Sequence, residues 1–146
     1  MFLDLDNFKS LNDTHGHKVG DLLLIEVANR LKSCVREMDT VARFGGDEFV
    51  VMISELDVDK SESIAQAGRI AEKLSAALAM PHVLKVEHEG KAETTVEHCC
   101  TASIGVALFG KDDTIQEDVL KWADTAMYQA KEAGCNLIRF YAGADA

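Results

Sequence analysis

Between two apolar runs the chain reads Arg43-Phe44-Gly45-Gly46-Asp47-Glu48-Phe49-Val50-Val51, and the glycine pair restricts the fold more than any other stretch. Tight links between antiparallel strands need positive φ, which glycine adopts without steric cost. Thr40 to Phe44 and Phe49 to Ile53 therefore read as the two strands of a hairpin. The glycines leave Asp47 and Glu48 unexplained. Taken alone, these two acids read as solvated charges on a surface turn.

Hydrophobic spacing assigns the remaining elements. Phe2 to Leu5 is a short apolar run interrupted by Asp4 and reads as a strand. Leu24, Val27, Ala28, Leu31 and Val35 recur at helical intervals, which predicts an amphipathic helix from Val19 to Val35. Ile64, Ala67, Ala71, Leu74 and Leu78 step by three and four, and this second helix ends near Met80-Pro81. Val83 to His88 and Thr94 to Phe109 read as strands around a Glu89-Gly90-Lys91 turn. Val119, Ala123, Ala126, Met127 and Ala130 form a third helical face stopped by Gly134, and Leu137 to Tyr141 is the last strand. Helices alternating with strand pairs predict an α/β or α+β domain, its helices packed on a central antiparallel-containing sheet. The core order is βαββαβ.

A chain of 146 residues, 47% hydrophobic and with a single proline, can bury a sizeable core. It shows no repeat and no Gly/Ser-rich linker, so one domain over residues 1–146 is expected. The chain starts inside its first strand, and an element that would precede that strand is expected to be missing. Fifteen basic against 25 acidic residues give a net charge of −10. Such a chain repels a nucleic-acid backbone, and no Lys/Arg-rich run offsets this. Handling a phosphate ligand would require divalent cations. No apolar segment reaches the roughly 20 residues that cross a bilayer, and no signal-peptide pattern is present, so a cytoplasmic setting without membrane contact is expected. Cys34, Cys99, Cys100 and Cys135 lack paired metal-ligand spacing. Reduced, mostly packed thiols are expected, with adjacent Cys99 and Cys100 on opposite faces of a strand.

The carboxylates then acquire a use. Asp4 lies within the first strand, and Asp6 falls on the same face by the two-residue period. If that strand pairs beside the hairpin, Asp4 converges with Asp47 and Glu48. Clustered carboxylates repel unless protonated or bridged by a metal. Hard oxygen ligands suit Mg²⁺, which binds through a few carboxylates and substrate phosphates. Two such ions can activate a hydroxyl and stabilise a leaving pyrophosphate. In the stretch Asp4 to Asp21, "DLDNFKSLNDTHGHKVGD", Lys9 offers a cation for phosphate, Asn12 an amide for a base edge, and Asp21 an acceptor for a base or ribose. Each also reads as a local device: Lys9 as solvated, Asn12-Asp13 as a turn, and Asp21 as a helix-start residue favoured by the dipole.

"RFGGDEF" and "DLDNFKSLNDTHGHKVGD", with "TASIGVALF" and "ADTAMYQAKEAGCN" later in the chain, resemble the GGDEF domain of diguanylate cyclases. The resemblance runs from the first residues to about Phe140 in family order. It implies a fold like the nucleotidyl cyclase and polymerase palm, and condensation of two GTP into cyclic di-GMP with release of two pyrophosphates. The family works as a homodimer, each subunit holding one GTP, with Mg²⁺ or Mn²⁺, and a sensor domain upstream is expected. By the resemblance Asp4, Asp47 and Glu48 are catalytic and metal-binding acids, with the Leu5 carbonyl as a further metal ligand. Asn12 and Asp21 match the guanine-recognising pair, Phe8 and Lys9 the phosphate-binding turn, and Lys131 a phosphate-contacting lysine. Gly45 and Gly46 match the turn that admits the nucleotide. Asp6 receives no clear ligand role. Arg36 and Asp39, in "REMD", match an inhibitory site that binds product guanines, and they also read as a helix end and a turn.

Two departures stand out. The helix and "LTGLxNR"-like stretch that usually precede the first strand are absent from this sequence, and Cys135 stands where many members carry an arginine that supports inhibitor or phosphate contacts. The competing reading is a module that binds GTP or cyclic di-GMP without turnover. The three motif acids favour the enzyme.

Overall fold

The structure is a computed structural model that describes residues 1–110 and 116–142. The chain runs β1 (Phe2–Leu5), α1 (Phe8–His15), α2 (His17–Cys34), β2 (Thr40–Gly45), β3 (Glu48–Met52), α3 (Lys60–Ala79), β4 (His82–Val86), β5 (Thr94–His98), β6 (Ala102–Val106), α4 (Gln116–Glu132) and β7 (Ile138–Phe140). Five strands form one sheet in the order β2-β3-β1-β6-β7, and β4 pairs with β5 in a separate ribbon. β1 lies at the centre, antiparallel to β3 and β6, while β7 joins β6 in parallel. The predicted βαββαβ core is present as β1, α2, β2, β3, α3 and β6.

Alternation along β1 divides the two faces of the sheet. Leu3 and Leu5 pack with Phe49, Val51 and Ile104 against α2 and α3, where Leu23, Val27, Leu31, Leu74 and Leu78 are buried. Each such buried side chain contributes roughly 1.5–3 kcal/mol. Phe2 points the other way and meets Ala123 and Met127 of α4. Asp4, two residues on, shares that side. α4 lies so close to β6 that a Cβ on Gly105 would stand 2.0 Å from the Ala123 carbonyl oxygen and 2.3 Å from the Met127 nitrogen. Arg30 joins α2 to the end of α3, donating from Nη1 to the carbonyls of Ala77 (2.9 Å) and Met80 (2.6 Å).

Several elements differ from the sequence expectation. α1 is a helix where a turn is expected. The long strand from Thr94 to Phe109 is two strands in different sheets, interrupted at Cys99 to Thr101. The break falls where Thr101 turns to Asp6: its carbonyl accepts the Asp6 N–H at 2.9 Å and its hydroxyl donates to the Asp6 carboxylate at 2.6 Å. The hairpin tip is shifted by one residue. Gly45 still pairs with Glu48 after an irregularity in the ladder, so Gly46 and Asp47 form the loop, and Gly46 has the positive φ of 50°. α3 starts earlier than its apolar face because Asp59 caps it, accepting from Glu62 N–H at 3.0 Å. All four cysteines are free, with Cys100 buried and Cys99 exposed. Among the described residues no helix is long and apolar enough to cross a membrane.

Candidate active site

The sheet register brings the predicted acids together. Asp4 lies opposite Glu48 of β3 on one side and Ser103 of β6 on the other. The Leu5 N–H donates to the Asp47 carbonyl at 3.2 Å, so the hairpin tip closes against the end of β1. Leu5 itself is buried in the core, which leaves its main-chain carbonyl as its only group for the site.

These carboxylates are electrostatically strained. Burial pushes the Asp4 carboxyl up to about 7, and the neighbouring charge of Asp47 adds to the rise, while Lys131 opposes it. Glu48 is raised as well, first by burial and then by Asp124 and Asp47. Lys131, in the last turn of α4, places Nζ 3.2 Å from Asp4 Oδ1 and 3.5 Å from Asp6 Oδ1. Burial disfavours its charge, but Asp4 and Asp6 outweigh this and raise its proton affinity. Lys131 faces Asp4 as an ion pair, and Asp4 Oδ1 is buried with no other side-chain cation on it among the described residues.

Asp6 has the opposite environment. Burial raises its pKa, but the donors around it win and the net shift is downward. Its carboxylate accepts from the Thr101 hydroxyl at 2.6 Å, the Ser103 hydroxyl at 2.8 Å and the Asn136 N–H at 3.0 Å. It fastens the end of β1 to β6 and to the loop after α4. Its oxygens are spoken for by the protein.

An orphaned buried oxygen beside a second carboxylate suits a hard cation. Among the described residues no three His, Cys, Asp or Glu side chains stand together closely enough to hold an ion alone. Mg²⁺ commonly binds through one or two carboxylates completed by substrate phosphates and water. The residues present fit a divalent ion that arrives with a nucleotide.

The nucleotide-facing residues are distributed around this centre. Phe8 and Lys9 open α1 after Asn7, whose φ of 61° is left-handed, so they form a helix start in place of the expected turn. The first N–H groups of a helix lack intrahelical partners and favour phosphate oxygens. Asn12 Oδ1 is buried without a partner, and a Cβ on Gly20 would stand 1.8 Å from it. Glycine at position 20 thus admits the Asn12 amide. Asp21 is exposed at the rim of a cavity of about 470 Å³ between α2 and the hairpin strands, lined also by Leu24, Ala28, Val41, Arg43 and Phe49. Arg43 braces the hairpin tip, donating from Nε to the Gly46 carbonyl at 2.9 Å. A Cβ on Gly45 or Gly46 would meet nothing within 4 Å, so the space above the hairpin is open.

Arg36 and Asp39 lie apart from this cluster, where α2 leads into β2, and they bind each other. Asp39 accepts from the Arg36 N–H at 2.9 Å, from its Nε at 3.2 Å and from the Ser54 N–H at 3.1 Å. Arg36 Nη2 also donates to the Ser54 carbonyl. Burial raises the Asp39 pKa, and the bonds from Arg36 and Ser54 outweigh it to give a net fall. Sequence reasoning missed Gly20, Asp6 as a hub with Thr101 and Ser103, and Asp124 facing Glu48. Asp124 was within reach, since it precedes Lys131 by two helical turns on the same face.

Comparison with known proteins shows the family and the fold. Residues 1–137 match the family described as diguanylate cyclase, GGDEF domain. The bifunctional diguanylate cyclase/cyclic di-GMP phosphodiesterase MucR of Pseudomonas aeruginosa is 42% identical over 141 residues, covering 97% of this chain and 18% of MucR. The crystal structure of the GGDEF domain of YfiN, also called TpbB, from the same organism superposes with a TM-score of 0.79 at 37% identity, covering 96% of this chain and 79% of that one. The GGDEF domain of DgcB from Caulobacter crescentus, solved in complex with c-di-GMP, gives a TM-score of 0.76 at 25% identity, covering 97% and 76%. The chain spans less than a fifth of MucR, so it corresponds to one part of that longer relative. With the hairpin, its acids and the surrounding motifs in family order, this chain belongs to the GGDEF domain family of diguanylate cyclases.

Proposed function

We propose that the chain condenses two GTP into cyclic di-GMP, releasing two pyrophosphates, with two copies facing each other and one GTP on each. In each half-reaction a 3′-hydroxyl attacks the α-phosphate of the opposite nucleotide, a new phosphodiester forms, and the bond to pyrophosphate breaks. The observation that carries the reading is the Asp4–Asp47 pair at the hairpin tip, with a buried, unpartnered oxygen on Asp4. Mg²⁺ or Mn²⁺ bound by Asp4, the Leu5 carbonyl, Asp47 and Glu48 would supply charge for the attacking hydroxyl and the leaving group. Phe8 and Lys9 at the start of α1 hold phosphate oxygens, and Lys131 adds a cation from α4. Asn12, with its unpartnered oxygen, and Asp21 together read the guanine edge. The open space over Gly45 and Gly46 admits the nucleotide.

Product control is proposed at Arg36 and Asp39. Arginine can donate to guanine O6 and N7, and aspartate can accept from guanine N1–H and its amine. Their mutual ion pair would be exchanged for the ligand. Cys135, half-buried beside Lys131 with Sγ 3.8 Å from the Lys131 carbonyl, brings no guanidinium to that corner. Inhibition weaker than in an arginine-bearing member is therefore expected. A sensor domain upstream and a cytoplasmic setting complete the proposal.

Asp47→Asn and Glu48→Gln test the assignment. Both are expected to lose cyclic di-GMP formation from GTP while keeping the wild-type melting curve. Retained turnover in either purified variant would remove the metal-binding role.

A further inference from the structure

Lys131 occupies a position that the phosphate-contact reading leaves unexplained. Its ammonium sits between the carboxylate at the metal end of the site and the buried Asp6 hub, 3.2 Å from Asp4 Oδ1 and 3.5 Å from Asp6 Oδ1. The two partners differ in kind. Asp6 is 2% exposed and its oxygens are fixed by Thr101, Ser103 and Asn136, so it cannot leave and cannot take up an ion. Asp4 Oδ1 is buried, and the Lys131 ammonium 3.2 Å away is the cation that faces it. The Asp6 oxygens are held by three protein donors, whereas an ion arriving at Asp4 Oδ1 competes with Lys131.

We propose that Lys131 is a tethered internal cation that fills the place of the divalent ion at Asp4 in the nucleotide-free protein and yields it when metal arrives. Asp6 is the permanent anchor, and Asp4 is the exchangeable partner. When an ion takes Asp4, the ammonium is repelled from that carboxylate, remains close to Asp6, and is free to meet the phosphates that accompany the ion. Metal and lysine thus exclude each other at one oxygen. By linkage, an apparent affinity falls in proportion to the fraction of protein whose site is open. If lysine covers Asp4 about nine-tenths of the time, the metal binds about tenfold more weakly than the carboxylates alone allow. The device keeps the site closed to free cations and opens it to the metal–nucleotide complex, whose phosphates compensate the displaced ammonium. This inference rests on the metal-site reading above.

The test uses Mn²⁺ alone, titrated into the nucleotide-free protein and followed by water-proton relaxation. Lys131→Met is expected to bind Mn²⁺ about tenfold more tightly than wild type, and Lys131→Arg, which keeps the charge, within about twofold of it. Adding Asp4→Asn to Lys131→Met should abolish the gain, which locates the ion at Asp4. A merely structural lysine would give no gain, and melting curves of all variants control for folding. Equal or weaker Mn²⁺ binding in Lys131→Met, including no binding in either protein, overturns the proposal. Formation of cyclic di-GMP by the wild-type protein is read separately, so a failed catalytic reading and a failed exchange reading give different results.

Discussion

Replacing Asp4 by asparagine should stabilise the metal-free protein at pH 8 while removing turnover. The folded-state pKa of Asp4 is pushed up to about 7 from an ordinary 3.8, by burial first and by Asp47 second, against the opposing charge of Lys131. A carboxyl raised on folding contributes no penalty below about pH 4, and stability is lost as pH rises through about 7. The difference corresponds to a ceiling of about 4 kcal/mol, at about 1.4 kcal/mol per tenfold change in proton affinity. The site faces solvent on one side, and screening reduces the effect to roughly 1–2 kcal/mol. Asparagine mimics the neutral acid and carries none of this cost. In a chain of this size the variant should melt roughly 3–6 °C higher than wild type at pH 8, and at the same temperature near pH 4. The assay is thermal unfolding in chelator at both pH values. A variant that is less stable at pH 8, or that shows the same difference at both pH values, would refute the electrostatic reasoning.

Gly105→Ala forces a methyl into the backbone of α4 and should cost about 3 kcal/mol, seen as a lower urea midpoint, because the obstructing atoms are main chain; an unchanged midpoint would mean that α4 is not seated as described. Asp6→Asn turns an amide N–H₂ toward groups that are themselves donors and should cost about 2–3 kcal/mol at neutral pH. The pKa of Asp6 is depressed, so its contribution is present above about pH 4 and lost as pH falls below it, and the gap between variant and wild type should close in acid; a gap that persists at pH 3 would count against this. Arg36→Ala removes a half-exposed guanidinium from a buried Asp39 carboxylate that keeps the N–H groups of residues 36 and 54 as donors, so the fold should survive, yet calorimetry should show a clear loss of cyclic di-GMP affinity, with wild-type inhibition that high GTP does not overcome. Equal affinity in both proteins would reduce Arg36 and Asp39 to a helix-end latch.

The parts of the fold that sequence revealed are those governed by local rules. Gly45-Gly46 marked the hairpin because positive φ is a property of the residue itself, and the leucine and alanine spacings of α2, α3 and α4 follow from helical geometry. α1 escaped because it is short and polar, and Leu11 is its only buried residue. The Phe8–Leu11 spacing was its one signal. The interruption between β5 and β6 carries no glycine or proline, since a tertiary contact with Asp6 diverts Thr101, and no local pattern encodes that. The acids Asp4, Asp47 and Glu48 were legible as types, but their convergence depends on the β1–β3 register. The service of Asp6 to Lys131 depends on α4 crossing β6 at Gly105, and it could not be read from spacing alone.

The central claim is tested most directly by incubating the wild-type protein with GTP and Mg²⁺ and quantifying nucleotide products by chromatography alongside released pyrophosphate. The account predicts cyclic di-GMP, with two pyrophosphates per molecule formed and none when ATP replaces GTP. Intact GTP after prolonged incubation at high protein concentration, or hydrolysis to GDP and phosphate alone, would contradict it.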